Sequence, residues 1–138
     1  MSGAAAGAGL RRVLLIEPDN LIRGTVASVC RDLSLVQVIQ AVSVAQGEQA
    51  LQSHSVQGMV LSLSDEVAAL SLLTRLRADE LGCTMDLAVA VLAHGCTPEL
   101  AAQLKSLEVR RLLLQPFKLR DVIHTLENLW PETVPVAA

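Results

Sequence analysis

Three carboxylates stand where they could serve phosphoryl or metal chemistry. Glu17 and Asp19 lie in Glu17-Pro18-Asp19-Asn20, and Asp65 closes M-V-L-S-L-S-D, which runs from Met59 to Asp65. Each follows an apolar run. A carboxylate delivered by the end of a buried strand is well placed to hold Mg²⁺ or to accept a phosphoryl group. Asp65 reads first as a helix cap or loop carboxylate; Ser62 and Ser64 add hydroxyls beside it, and Ser64 is itself expected to cap the helix that follows. His94 beside Cys96 invites a metal reading, but two potential ligands with no third at useful spacing behave as ordinary loop residues. Cys30, Cys83 and Cys96 are odd in number and match no zinc or redox pattern, so they read as reduced thiols of a cytoplasmic protein. His54 and His124 read as surface residues on helices.

The elements that must position these groups follow from periodicity. Val13 to Ile16 is a continuous apolar run, the mark of a strand covered on both faces, and it stops at Glu17-Pro18. Asp19 or Asn20 can cap a helix over about 20–33, with Leu21, Ile22, Val26, Val29, Cys30 and Leu33 at helical spacing. Leu35 to Val42 reads as a second strand, and Val44 to Gln52 as a short helix that Gly47 weakens. The strand from Met59 leads into a helix whose apolar stripe is expected to be Val67, Leu70, Leu73 and Leu76, with Arg75, Arg77 and Asp79 pointing outward. Leu87 to Leu92 is a fourth strand. Thr97-Pro98-Glu99 then starts a helix to about Leu107: Thr97 caps, Pro98 gives up an N–H that would go unpaired anyway, and Glu99 faces the positive helix end. Val109 to Leu114 is the fifth strand, broken by Gln115-Pro116-Phe117. The closing helix, Leu119 to Leu129, buries Val122, Ile123, Leu126 and Leu129.

Five strands alternating with five helices specify a parallel sheet with helices on both faces. Active groups in such sheets gather outside the carboxyl ends of the strands, at the point where strand order reverses. The chain of 138 residues is long enough for one domain, over 11–130, flanked by a Gly/Ala tail over 1–10 and a loose tail over 131–138. With no Tyr, and Phe117 and Trp130 as its aromatics, the core must come from Leu, Val, Ile and Ala. A net charge of -3, with adjacent basic residues only at Arg11-Arg12 and Arg110-Arg111, speaks against nucleic acid as a partner. No apolar run reaches the length of roughly 20 residues that a membrane span needs, and the start of the chain lacks a basic, apolar leader. The Gly-rich start precedes the first strand, whereas a phosphate-cradling loop must follow it.

Taken in order, V-L-L-I-E-P-D-N-L-I-R, L-L-T-R-L-R, V-L-A-H-G and L-L-L-Q-P-F resemble the receiver domain of bacterial two-component response regulators. The resemblance covers residues 11–130. It implies a flavodoxin-like, CheY-like five-stranded parallel sheet in the order 2-1-3-4-5. In that family two acids after strand one hold Mg²⁺, an Asp ending strand three accepts the phosphoryl group, and a Thr or Ser after strand four and a Lys before the Pro of strand five contact its oxygens. Position by position, this chain departs from that set. Glu17 keeps the first acid, the second falls on Pro18 with Asp19 next to it, the acceptor on Leu63, the hydroxyl on Leu92 or Ala93, and the lysine on Gln115. Leu offers no nucleophile, and without the lysine and the second acid a phosphoryl group would face too little positive charge.

The resemblance therefore implies a stand-alone pseudo-receiver: no enzyme, no cofactor, and signal transduction through protein contact. Its family dimerises and docks through helix four, strand five and helix five. Here that face would present Lys105, Arg110, Arg111, Leu112, Lys118 and Arg120, with Glu108 and Asp121 as opposite charges, and a homodimer is possible through it. Two alternatives stay open. Asp65 lies two positions past Leu63, and a two-residue slip preserves strand alternation, so Asp65 could be an atypical acceptor with Mg²⁺ on Glu17 and Asp19. A crevice lined by Leu63, Leu92 and Pro18 could instead sense a small ligand.

Overall fold

Runs of Val, Leu, Ile and Ala with no polar alternation need cover on both sides, and each such run is a strand between two helical layers. The computed structural model describes residues 9–82 and 85–130. The strands are β1 (Arg12–Ile16), β2 (Gln37–Ala41), β3 (Gly58–Ser62), β4 (Ala88–Ala93) and β5 (Arg111–Leu114). They alternate with α1 (Asn20–Asp32), α2 (Val44–Ser53), α3 (Glu66–Arg77), α4 (Pro98–Ser106) and α5 (Leu119–Glu127). All four pairings are parallel and the sheet order is β2-β1-β3-β4-β5, as expected. Residues 1–8 and 131–138 of the two expected tails, and Cys83, lie outside the described residues.

Alternation along the strands sorts the core into two layers. Leu14, Ile16, Met59, Leu61, Val89 and Val91 meet Leu51 of α2, Leu72, Leu73 and Leu76 of α3, and Leu100 and Leu104 of α4. Val13, Leu15, Val60, Ala90 and Leu92 meet Val26 and Cys30 of α1 and Val122 and Leu126 of α5. Trp130 joins the second layer, so the core is less purely aliphatic than composition implies. Its indole N–H donates to the Gln57 carbonyl at 2.9 Å, and the Arg11 guanidinium lies 4.6 Å over its ring. Gly58 leaves room for this ring, since a Cβ there would lie 2.9 Å from Trp130 Cζ2. Burial pushes the Cys30 thiol up to about 11, leaving it a neutral core group.

Several local expectations need correction. Asp65 caps α3, as its leading reading has it, its side chain accepting from Ala68 N–H at 3.3 Å, and the cap expected of Ser64 is not made. Ser64 lies one residue too early and bonds to Ser62 instead, its N–H reaching Ser62 Oγ at 3.2 Å. The buried face of α3 is Ala69, Leu72, Leu73 and Leu76; Leu70 is half-buried and Val67 is exposed, because the first turn projects past the end of the sheet. The same holds at α1, where Leu21 and Leu33 are exposed beyond the two ends of the sheet and the buried residues are Val26, Ala27 and Cys30. On α5, Val122, Thr125 and Leu126 are buried, Leu129 follows them, and Ile123 is half-buried. Arg75 pairs with Glu48 of α2 at 2.6 Å, which holds the Glu48 carboxyl below its ordinary range. Arg77 is turned inward onto backbone carbonyls.

Candidate functional site

The strand order reverses between β1 and β3: β1 leads by α1 toward β2, and β3 leads by α3 toward β4. Ladder hydrogen bonds fix what lines the carboxyl end of the sheet. Leu63 N–H donates to the Leu92 carbonyl at 2.8 Å, and Gln115 N–H to the Ala93 carbonyl at 2.7 Å. Ile16 pairs with Leu61, so Glu17, Leu63, Ala93 and Gln115 leave neighbouring strands at one edge. Glu17, Leu63, Leu92, Ala93 and Gln115 thus share the carboxyl end of the sheet.

Chemically the assembly is poor. Leu63 is 7% exposed and packs into the layer with α2, α3 and α4. Leu92 and Ala93 are buried and carry no hydroxyl. The peptide bond from Gln115 to Pro116 is cis, and Gln115 is half-buried. Pro18 and Asp19 are exposed. Asp19 accepts from Ile22 N–H at 3.0 Å as the cap of α1. Its own N–H donates to Glu17 Oε2 at 3.0 Å. Glu17 is 3% exposed, and its Oε1 is buried without a hydrogen-bond partner. Arg23, not singled out by the sequence, donates from Nη1 to the Glu17 carbonyl at 2.8 Å and from Nη2 to Asn20 Oδ1.

A Mg²⁺ site of the receiver kind needs two or more carboxylates converging on one point. Glu17 supplies one, Pro18 supplies none, and the carboxylates of Asp19 and Asp65 each cap their own helix. Among the described residues no group of three His, Cys, Asp or Glu side chains is placed to hold a metal ion, the His94 and Cys96 pair included. The residues present do not fit the ion. Asp65 is exposed at the mouth of the crevice with its carboxylate engaged by α3, and Ser62 Oγ–H donates to Ser64 Oγ at 3.1 Å.

No family model matches the sequence, and no curated protein does. Solved structures do match. The Vibrio cholerae chemotaxis protein CheY4 superposes with a TM-score of 0.78 at 16% identity, over 88% of this chain and 100% of that one. The chain has the CheY-like receiver fold. The receiver domain of the Francisella response regulator 1452 matches at 0.77 and 16% identity, over 89% and 98% of the two chains. The beryllofluoride-activated receiver domain dimer of NtrC4 matches at 0.76 and 14% identity, over 88% and 98%. Identities this low establish the receiver fold and leave the chemistry to the residues described above.

The face of α4, β5 and α5 carries the expected charges in part. Lys105, Arg110, Arg111, Lys118 and Arg120 are exposed, but Arg110 donates to the Leu129 carbonyl at 2.8 Å and Arg111 to that of Asn128 at 3.4 Å. Those two heads are held by the chain itself. Asp121 is half-buried and accepts from Lys118 N–H at 2.8 Å. β5 is an edge strand on which Leu112, named from the sequence, is exposed; what sequence reasoning missed is the exposure of Leu114 on the same strand and of Leu119 at the start of α5. The unbroken apolar run of β5 hides which of its residues an edge position leaves uncovered. Among the described residues no helix is long and apolar enough to cross a membrane.

Proposed function

We propose that this chain is a pseudo-receiver: a signalling module of receiver fold that does not accept a phosphoryl group and acts by binding protein. The observation that carries the reading is Leu63, buried at the position where receivers hold their acceptor carboxylate. Pro18 and Gln115, in place of an acid and a lysine, support it, since neither offers charge to a metal or to phosphoryl oxygens. On this reading the chain is not an enzyme, needs no cofactor and has no nucleic-acid partner. The alternative, Asp65 as acceptor, draws on its exposed place at the crevice mouth. It is the weaker reading, because that carboxylate caps α3 and no second acid converges on it. A small-ligand sensor is weaker still, because Leu63, Leu92 and Ala93 are packed into the core.

The contact face is α4, β5 and α5. Leu112, Leu114 and Leu119 are exposed on these elements, as are the charged Lys105, Lys118 and Arg120, and exposed apolar side chains with polar ones suit a protein contact. A dimer is also the form named for the NtrC4 receiver domain, at 14% identity. Sedimentation equilibrium over a wide concentration range is expected to show a monomer–dimer equilibrium that Leu112→Asp combined with Leu114→Asp weakens at least about tenfold, by burying charge in the contact. A monomer at every concentration would count against the dimer.

A further inference from the structure

The two most exposed large apolar side chains among the described residues are Leu21, 78% exposed, and Val67, 82% exposed. Each holds the second position of its helix after an aspartate cap, Asp19 for α1 and Asp65 for α3. These are the helices that leave β1 and β3, the strands on either side of the switch point. α1 packs on one face of the sheet and α3 on the other, so Leu21 and Val67 stand on opposite lips of the crevice. The same position in α4 is Glu99 and in α5 Arg120, ordinary choices for a helix start facing water.

Charge around the lips is net negative. In the segments 18–23 and 64–67 the charged side chains are Asp19, Asp65 and Glu66 against Arg23, whose head is held by the Glu17 carbonyl and Asn20 Oδ1. The strands beneath offer no pairing edge, because β1 and β3 each have a neighbour on both sides. A segment entering here must therefore satisfy its own backbone, which a helix does and an extended strand does not.

We propose that the crevice mouth is a docking clamp for a cationic amphipathic helix of a partner protein. Its Leu, Ile or Val stripe lies between Leu21 and Val67, and its Lys and Arg side chains meet Asp19, Asp65 and Glu66. The proposal rests on the reading of this chain as an interaction module and names the chemistry of the partner.

Selection of a displayed library of random peptides on the purified full chain tests it. The winners are expected to combine net positive charge with Leu, Ile or Val at helical spacing. They should lose at least about tenfold in affinity on the double variant Leu21→Ser, Val67→Ser, and severalfold on Glu66→Gln or on raising salt. Both apolar residues are exposed, so the double variant should keep the parent's unfolding temperature, measured alongside. Neutral or acidic winners, winners indifferent to Leu21 and Val67, or no winners would overturn the clamp. Winners that depend on Leu112 would overturn the clamp while leaving the interaction-module reading intact. A phosphoryl adduct on Asp65 would overturn that reading, and cationic winners dependent on Leu21 and Val67 would still support the clamp.

Discussion

Arg77→Ala is expected to lose roughly 3 kcal/mol of stability and to unfold about 10 °C lower than the parent chain. The guanidinium of Arg77 ends α3 and donates to four carbonyls: Leu107 at 2.8 Å, Met85 at 2.8 Å, Leu87 at 2.8 Å and Glu108 at 3.1 Å. It thereby ties α3 to the lead-in of β4 and to the turn after α4. Burial lowers its pKa, partly offset by Glu108, yet an arginine stays charged under any ordinary condition. Alanine would leave these carbonyls without their donor; the bonds to Leu107 and Leu87 are part-buried, and there an unpaired carbonyl costs more than the bond contributed. Arg77→Lys should recover only part of the loss, because an ammonium cannot span four acceptors as a planar fork does. Thermal unfolding followed by circular dichroism checks both variants. An Arg77→Ala midpoint within about 2 °C of the parent would show that the staple contributes little.

Gly47→Ala is the second large effect, and its sign is opposite to helix propensity. In an ordinary helix interior the change stabilises by about 1 kcal/mol. Here a Cβ would lie 2.2 Å from Ile16 Cδ1 and 2.7 Å from Ile16 Cγ1, with Ile16 1% exposed at the end of β1. Ile16 can move only against the packed core that encloses it, so a net loss of roughly 2 kcal/mol is expected. Ile16→Val removes the nearer atom. In urea titrations the double variant should therefore be more stable than the sum of the two single losses, a positive coupling between contacting residues. Strict additivity would contradict the close approach.

Gly47 also shows how far the sequence could be read. A glycine inside α2 looked like a weakness of the helix, and the reason for it sits 31 positions away (47 minus 16) on a neighbouring strand. The alternation of apolar runs and capped helices carried the fold, because Thr97-Pro98 and the buried strands obey local rules. The place of Leu63, Ala93 and Gln115 at the carboxyl end of the sheet was legible for a related reason: strand ends and ladder register set it. Helix first turns were not. Val67 and Leu21 have core-like residue types, and only the place where the sheet ends tells that nothing covers them. Arg77 was likewise taken for a solvated residue, since its partners are carbonyls of segments remote in sequence.

The proposal that this chain, with Leu63 at the acceptor position, takes no phosphoryl group is tested most directly by incubating the full chain with a small phosphodonor and Mg²⁺ and measuring its intact mass. The unmodified mass is expected at every time point, in the parent and in Asp65→Asn alike; asparagine keeps the helix cap but cannot accept the group. An added mass of about 80 Da, that of one phosphoryl group, present in the parent and absent from Asp65→Asn, would contradict the account.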